Sequence, residues 1–157
     1  MIGWLLDTNV IASLTAPPGA PTVKAWAATQ EEDRIYLSVI TLAEYDKGIH
    51  QLPESDPRRA WYAANRDAIE ARFGRRVLPE NDAVMRRWGA LAGRIKRETG
   101  HPPPVIDTLI AATALENGLY LVTRNAKDVL HAGVAVFNPW EDDPIRFPLT
   151  LGGLSGR

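Results

Sequence analysis

Five short apolar runs, each bounded by a turn or helix-start signal, constrain this chain more than any other feature of it. They are Ile2 to Leu6, Ile35 to Ser38, Arg76 to Leu78, Leu119 to Val122 and Val134 to Phe137. Such runs read as strands buried on both faces, the pattern of a parallel sheet covered by helices. Helical patterns lie between them. Val84, Trp88, Leu91 and Ile95 recur at steps of four, three and four, which places them on one face of an amphipathic helix that Gly89 and Gly93 weaken but open to close packing. Pro104 suits the first position of another helix, Val105 to Glu116, which Asn117-Gly118 closes with a left-handed cap. Its Ala111, Ala112 and Ala114 leave room for a neighbouring element.

Strands alternating with helices predict an α/β/α sandwich around a central, mostly parallel five-stranded sheet with right-handed crossovers. The expected order is β-α-α-β-α-α-β-α-α-β-α-β, with helices from Asp56 to Gly74 and from Asn81 to Thr99. Residues 1–140 are expected to form this domain and 141–157 a C-terminal extension, because Glu141-Asp142-Asp143-Pro144 breaks the texture. Beyond it Ile145, Phe147, Leu149 and Leu151 alternate as one face of an edge strand or arm, which must bury that face on its own domain or across a dimer.

At 157 residues the chain is about one domain long, enough for a core without staples. It contains no cysteine, which excludes disulfides, thiolate metal sites and a cysteine nucleophile. No segment approaches the apolar length of a membrane span, and the opening residues lack the basic region of a signal peptide. The expected location is therefore the cytoplasm. Net charge is −1, but it is unevenly spread. Between Arg58 and Arg97 eleven basic residues face four acids, so that segment carries +7 and the remainder −8. This asymmetry predicts one surface that attracts a polyanion, the alternative being solvated helix faces.

Open parallel sheets place their ligand sites at the carboxyl ends of the strands, and four acids fall there. Asp7 ends the first run, Glu44 lies early in the helix after the second, Asp107 is in the first turn of the helix opened by Pro104, and Asp128 follows the run ending at Val122. Each has a local explanation. Thr41 and Glu44 match a capping box, Asn125 and Asp128 are close to one, and Asp107 can oppose a helix dipole. Together they converge on one edge, where clustered carboxylates repel unless a cation or proton intervenes. Oxygen donors without Cys or His favour Mg²⁺ or Mn²⁺, and a metal-bound water can attack a phosphodiester. An acidic cleft with a basic rim formed by Arg58, Arg59, Arg66, Arg86, Arg87 and Arg94 points to a nuclease.

His50, His101 and His131 are scattered and read as surface residues. Trp61, amid arginines, is the tryptophan best placed to stack on a base. Phosphate-binding loops, dinucleotide fingerprints and the serine-hydrolase elbow are absent from the sequence. Two rival classes remain. A phosphotransfer protein is disfavoured by Asn9, where an aspartyl phosphatase needs an acid, and by the lack of an acidic pair at the first strand end. A catalytically silent RNA- or antitoxin-binding module of the same fold is disfavoured by the presence of all four acids.

These motifs also carry a resemblance. Leu5-Leu6-Asp7-Thr8-Asn9-Val10-Ile11, Ser38 to Glu44, Val105 to Ala114 and Leu121 to Asp128, followed by Val134 to Trp140, resemble in order the motifs of PIN-domain proteins over residues 1–140. The likeness implies a toxin ribonuclease of the VapC/FitB type, dependent on Mg²⁺ (or Mn²⁺), usually a homodimer, and inhibited by a VapB-like antitoxin whose tail enters the acidic cleft. It implies Asp7 and Asp107 as the main metal ligands, with Glu44 and Asp128 completing the site and Thr8, Asn9, Thr123 and Asn125 supporting it. Some relatives have an acid where Asn125 stands, which leaves open whether Asp128 or the Asn125 amide completes the set. Val129 replaces a customary aromatic, and the tail beyond Trp140 is longer than the family pattern.

Overall fold

The computed structural model describes residues 1–150; of the tail positions singled out above, Leu151 lies outside the described residues. Five strands form one sheet in the order β3-β2-β1-β4-β5. They are β1 (Gly3–Leu6), β2 (Ile35–Ser38), β3 (Val77–Leu78), β4 (Leu119–Val122) and β5 (Val136–Phe137), and every pairing is parallel. The helices are α1 (Thr8–Thr15), α2 (Pro21–Ala28), α3 (Val39–Gln51), α4 (Arg58–Phe73), α5 (Asp82–Thr99) and α6 (Val105–Asn117).

Alternation along the strands sorts their side chains into two cores. Trp4 and Leu6 of β1 join Tyr120 and Val122 of β4, Phe137 of β5, and Val10, Ile11, Val23, Trp26, Ile69 and Phe73 from α1, α2 and α4. Leu5, Leu119 and Leu121 face the other way, onto Val84, Leu91 and Ile95 of α5 and onto Ile110, Ala111, Ala112 and Ala114 of α6. The small residues of α6 are fully buried, as close packing of α5 against α6 requires. The result is the α/β/α sandwich expected.

Two of the glycines shape the sheet and its connection to α6. A Cβ on Gly3 would lie 2.3 Å from the Arg34 carbonyl oxygen, so β1 can approach the β2 entry only without a side chain. Gly118, at φ 65°, caps α6 in the left-handed conformation.

Apart from shifts of one or two residues at the ends of β1, α4, α5 and α6, the elements differ from the expectation in three places. Between β4 and β5 the chain makes one 3-10 turn, Ala126–Val129, instead of an α-helix. Of that segment's apolar residues Val129 and Ala132 are buried, too few for a helical stripe. β3 starts at Val77 because Arg76 belongs to a 3-10 turn and donates to the carbonyls of Glu32 (2.7 Å) and Ile35 (2.8 Å). β5 starts at Val136, two residues later than its apolar run.

The stretch after Trp140 folds back on its own domain as an arm. Phe147 and Leu149 pack against the first core. The Tyr120 hydroxyl donates to the Pro148 carbonyl (2.9 Å), and Thr150 N–H donates to the Met1 carbonyl (2.8 Å). Among the described residues no helix is long and apolar enough to cross a membrane.

Candidate active site

Strand order reverses direction at β1, with β2 and β3 to one side and β4 and β5 to the other, so the crevice at the carboxyl ends of β1 and β4 is where such a sheet binds ligands. Asp7 leaves β1 there with extended backbone (φ −72°, ψ 161°) and caps α1 by accepting from Thr8 N–H at 2.8 Å. Its second oxygen accepts from the hydroxyl of Thr123, just past β4, at 2.8 Å and from the Asn9 amide at 3.2 Å. Asn9 also donates to the Thr123 hydroxyl (3.2 Å) and accepts from Arg124 N–H (3.2 Å). Thr123 is buried, so the β1 and β4 ends are locked together around one carboxylate.

Glu44 enters from α3. That helix starts at Val39 and is capped by Ser38, whose hydroxyl oxygen accepts from Ile40 N–H at 3.0 Å. The capping box suggested by Thr41 and Glu44 therefore does not form; Thr41 is inside the helix. Glu44 instead accepts from the Thr8 hydroxyl at 2.6 Å.

Asp107 lies in the first turn of α6, as expected. Burial, followed by repulsion from Asp7, Asp128 and Glu44, pushes its carboxyl above the usual range. The other three acids thus all act on Asp107 at this edge. Asp128 sits on the exposed 3-10 turn. Asn125 donates its backbone N–H to Thr123 (3.1 Å), and its side chain caps nothing. Of these two residues it is Asp128 whose charge is felt at Asp107.

The donor set suits a hard divalent cation. Among the described residues no three His, Cys, Asp or Glu side chains close into a compact metal cage. Mg²⁺ does not need one, since it keeps several waters and takes only one or two carboxylates directly. The repulsion at Asp107 is the charge imbalance such an ion relieves.

The proposed basic rim looks different in three dimensions. Arg58 pairs with Asp56 (2.8 Å), Arg86 with Asp82 (2.8 Å), Arg87 with Glu116 (2.6 Å) and Arg94 with Glu98 (3.0 Å). Arg66 pairs with Asp46 (3.0 Å), Asp67 (3.3 Å) and Glu70. Arg59 alone of the six touches no acid among the described residues, lying 3.4 Å from His50 Nδ1. Trp61 is half-exposed beside it and stacks edge-on with Tyr62.

Sequence reasoning missed three residues near this edge. Arg124 and Lys127 flank Asp128 and have no ion-pair partner among the described residues, and Arg124 lies over the Trp140 ring at 5.1 Å from its centroid. Their signal was their position in the segment after the fourth strand, outside the Arg58–Arg97 cluster that dominates the charge pattern. Glu80, two residues past β3, accepts from the buried hydroxyls of Ser38 (3.0 Å) and Thr113 (2.9 Å) and so ties the β2 end to α6. An acid just after an apolar run was the signal there.

A sandwich of this order with carboxylates at the β1–β4 edge defines a class of small acidic-cleft α/β proteins. The chain belongs to the PIN-domain family, whose profile matches residues 4–133. It is 33% identical over 138 residues to toxin FitB of Neisseria gonorrhoeae, covering 88% of this chain and 99% of FitB. It is 32% identical over 137 residues to the VapC ribonuclease Y4jK of Sinorhizobium fredii, covering 87% and 97%. Among solved structures it is similar to FitAB bound to a DNA fragment (TM-score 0.78, 31% identity, 89% of this chain and 97% of that one). It is also similar to FitAcB from Neisseria gonorrhoeae (TM-score 0.75, 32% identity, 87% and 98%).

Proposed function

We propose that this chain is a divalent-metal-dependent endoribonuclease and the toxin of a VapBC/FitAB-like toxin–antitoxin pair, working as a homodimer held inactive by a cognate antitoxin. The observation that carries the reading is the placement of Asp7, Glu44 and Asp128 around Asp107 at one sheet edge, where burial first and then those three charges hold its carboxyl above the usual range. Likeness to proteins named VapC ribonuclease and toxin FitB, and to the FitAB complex, supports the substrate class and the partner.

Asp7 and Asp107 would hold Mg²⁺ or Mn²⁺, with Glu44 and Asp128 at its edge. When bound, such an ion supplies a Lewis acid for the phosphate oxygens and lowers the pKa of a coordinated water. The chain's own groups do the positioning. Thr123 and Asn9 fix Asp7 Oδ2, and Thr8 fixes Glu44 Oε1, so neither carboxylate needs to reorganise when substrate arrives. Hydrolysis adds a water oxygen to phosphorus and breaks a phosphorus–oxygen bond to ribose; the carboxylates take up the water's proton, and the leaving oxygen gains one.

The test is cleavage of RNA with and without EDTA, repeated after addition of the cognate antitoxin. Mg²⁺-dependent cutting suppressed by that antitoxin is expected. Undiminished cleavage in EDTA would sink metal dependence, and tight RNA binding without any cleavage would identify a catalytically silent module instead.

A further inference from the structure

Beside the acidic edge is a second cavity, of about 330 Å³, to which the cluster of carboxylates contributes only Asp128. Its volume is at the small end of the range for small-molecule sites, about 300–1,000 Å³. The floor is apolar, made by Ile95 of α5 with Val129 and Ala132 of the turn after β4. One wall is the run Pro102-Pro103-Pro104, and the mouth carries His101, His131 and Lys127.

The imidazole-bearing backbones are held in place. His101 donates its N–H to the Thr99 hydroxyl oxygen (3.3 Å), and that hydroxyl lies 3.1 Å from the His101 carbonyl. Arg94 donates to the His131 carbonyl at 3.0 Å. The proline wall is tied to α6, because Thr108 donates to the Pro104 carbonyl through both its N–H (3.1 Å) and its hydroxyl. Asp128 lines the cavity, and the lining residue Thr108 follows Asp107 in the chain, so an occupant lies against one of the four carboxylates and next to the turn that carries another.

We infer that this cavity receives one unpaired base of the RNA substrate, the nucleotide adjacent to the phosphodiester that is cut. The inference rests on the ribonuclease reading above. Imidazoles offer flat faces of the kind on which splayed-out bases stack, and the proline rings add apolar C–H surface beside them. Lys127, together with neighbouring Arg124, meets the phosphates on either side of that base with cations that no acid among the described residues neutralises. The wall disfavours a peptide strand as occupant: prolines have no N–H to pair with one, and the Pro104 carbonyl is already taken. The base pocket thus gives the enzyme a preference at one position, beside the metal site that it touches through Asp128.

The test compares the parent with His101→Ala, His131→Ala and His131→Phe on a randomised single-stranded RNA pool, reading cleavage position by sequencing. Binding of the same pool is measured in an Asp107→Asn background. The Ala variants are expected to lose nucleotide preference at one position next to the cut, to raise KM more than they lower kcat, and to weaken binding by about tenfold, within what one stacked base contributes. His131→Phe keeps a flat ring and should retain much of the preference. Both rings are exposed, so melting temperatures should not move. Cleavage by the parent with unchanged pattern and KM in both Ala variants would overturn the base pocket alone. Loss of antitoxin inhibition with an unaltered cleavage pattern would also overturn it, in favour of a peptide site. Absence of cleavage by the parent would overturn the ribonuclease reading beneath it.

Discussion

The Thr123 hydroxyl donates to Asp7 Oδ2 at 2.8 Å, joining two residues 116 positions apart in the chain and side by side at the ends of β1 and β4. The same oxygen accepts from Asn9, and Thr123 is buried. The hydroxyl therefore serves the carboxylate's orientation more than its hydration. Thr123→Val should keep the shape and remove the donor. It is expected to cost about 1–3 kcal/mol, since a part-buried carboxylate loses a hydrogen bond, and to lower cleavage by more than the loss of folded protein explains. A denaturant melt beside a cleavage assay checks both. Full activity in the folded variant would show that Asp7 is held well enough by Thr8 and Asn9.

At Asp107, binding and chemistry can be separated. Asp107→Asn keeps the side chain's size and removes one charge from a group that three other carboxylates repel. Cleavage should fall by orders of magnitude, while metal-free stability holds or rises and RNA binding is at least as tight. If Asp107 only opposed the α6 dipole, the variant would instead lose roughly 0.3–1 kcal/mol and keep its activity.

The same carboxyl sets a pH dependence. Its folded-state pKa is raised, so over the range above the ordinary value of about 3.9 the native state holds more of this proton than the unfolded chain does. Stability contributed by this group therefore falls as pH rises through that range, and the deficit is complete above the folded pKa. Without metal, the melting temperature of Asp107→Asn minus that of the parent should be smallest in acid and grow toward neutral pH. Adding Mg²⁺ should shrink the difference by stabilising the parent alone. A difference independent of pH and metal would mean that Asp107 is not under the influence of the other acids.

The basic segment calls for a paired experiment. Arg86 and Arg94 sit in exposed ion pairs four residues apart on one helix, which contribute little to stability and leave the guanidinium half satisfied. Arg59 has no acidic partner, and Arg124 and Lys127 stand beside the acidic edge with none among the described residues. Arg59→Glu and Arg124→Glu should each reduce the salt slope of RNA binding by about 1 or more, as expected when the protein neutralises one phosphate fewer. Arg86→Glu should change it less. Equal slopes for all three would assign the basic segment to solvated surface.

What the sequence disclosed follows from where local and tertiary forces agree. The runs at β1, β2 and β4 are apolar because both their faces are covered, and the same continuity made them legible. The closure of α6 by Gly118 was equally plain, because only a left-handed residue ends that helix there. Glu44 was located by its place after the second strand, and the capping box that offered it a purely local explanation does not form: Thr41 is not a cap, and the bond that fixes Glu44 comes from Thr8 on another element. Partners of the arginines were invisible for a similar reason. Arg87 meets Glu116, 29 residues away on the adjacent helix, and a count of charge along the chain contains no such information. The turn at Ala126–Val129 was mistaken for a helix because crossovers between parallel strands are usually helical.

The arm after Trp140 supplies the last prediction, because two of its large apolar side chains have opposite fates. Phe147 packs edge-on against Phe137 and Tyr120, with ring centroids 5.0 and 5.4 Å away. Ile145, two residues earlier, is 81% exposed. If the alternation were only a sequence habit, both would be equally dispensable. If the arm closes the core over β4 and β5, Phe147→Ala should cost about 1–3 kcal/mol, a part-buried aromatic's share of the burial free energy, and Ile145→Ala should stay within about 0.5 kcal/mol of the parent. Chemical denaturation of the two variants decides it. Since Phe137 leads directly to the Asn138–Trp140 turn beneath Arg124, loosening it should also lower RNA cleavage, whereas the Ile145 variant should cut RNA as the parent does. Equal stability of the two variants would show that the arm rests on the domain without closing its core.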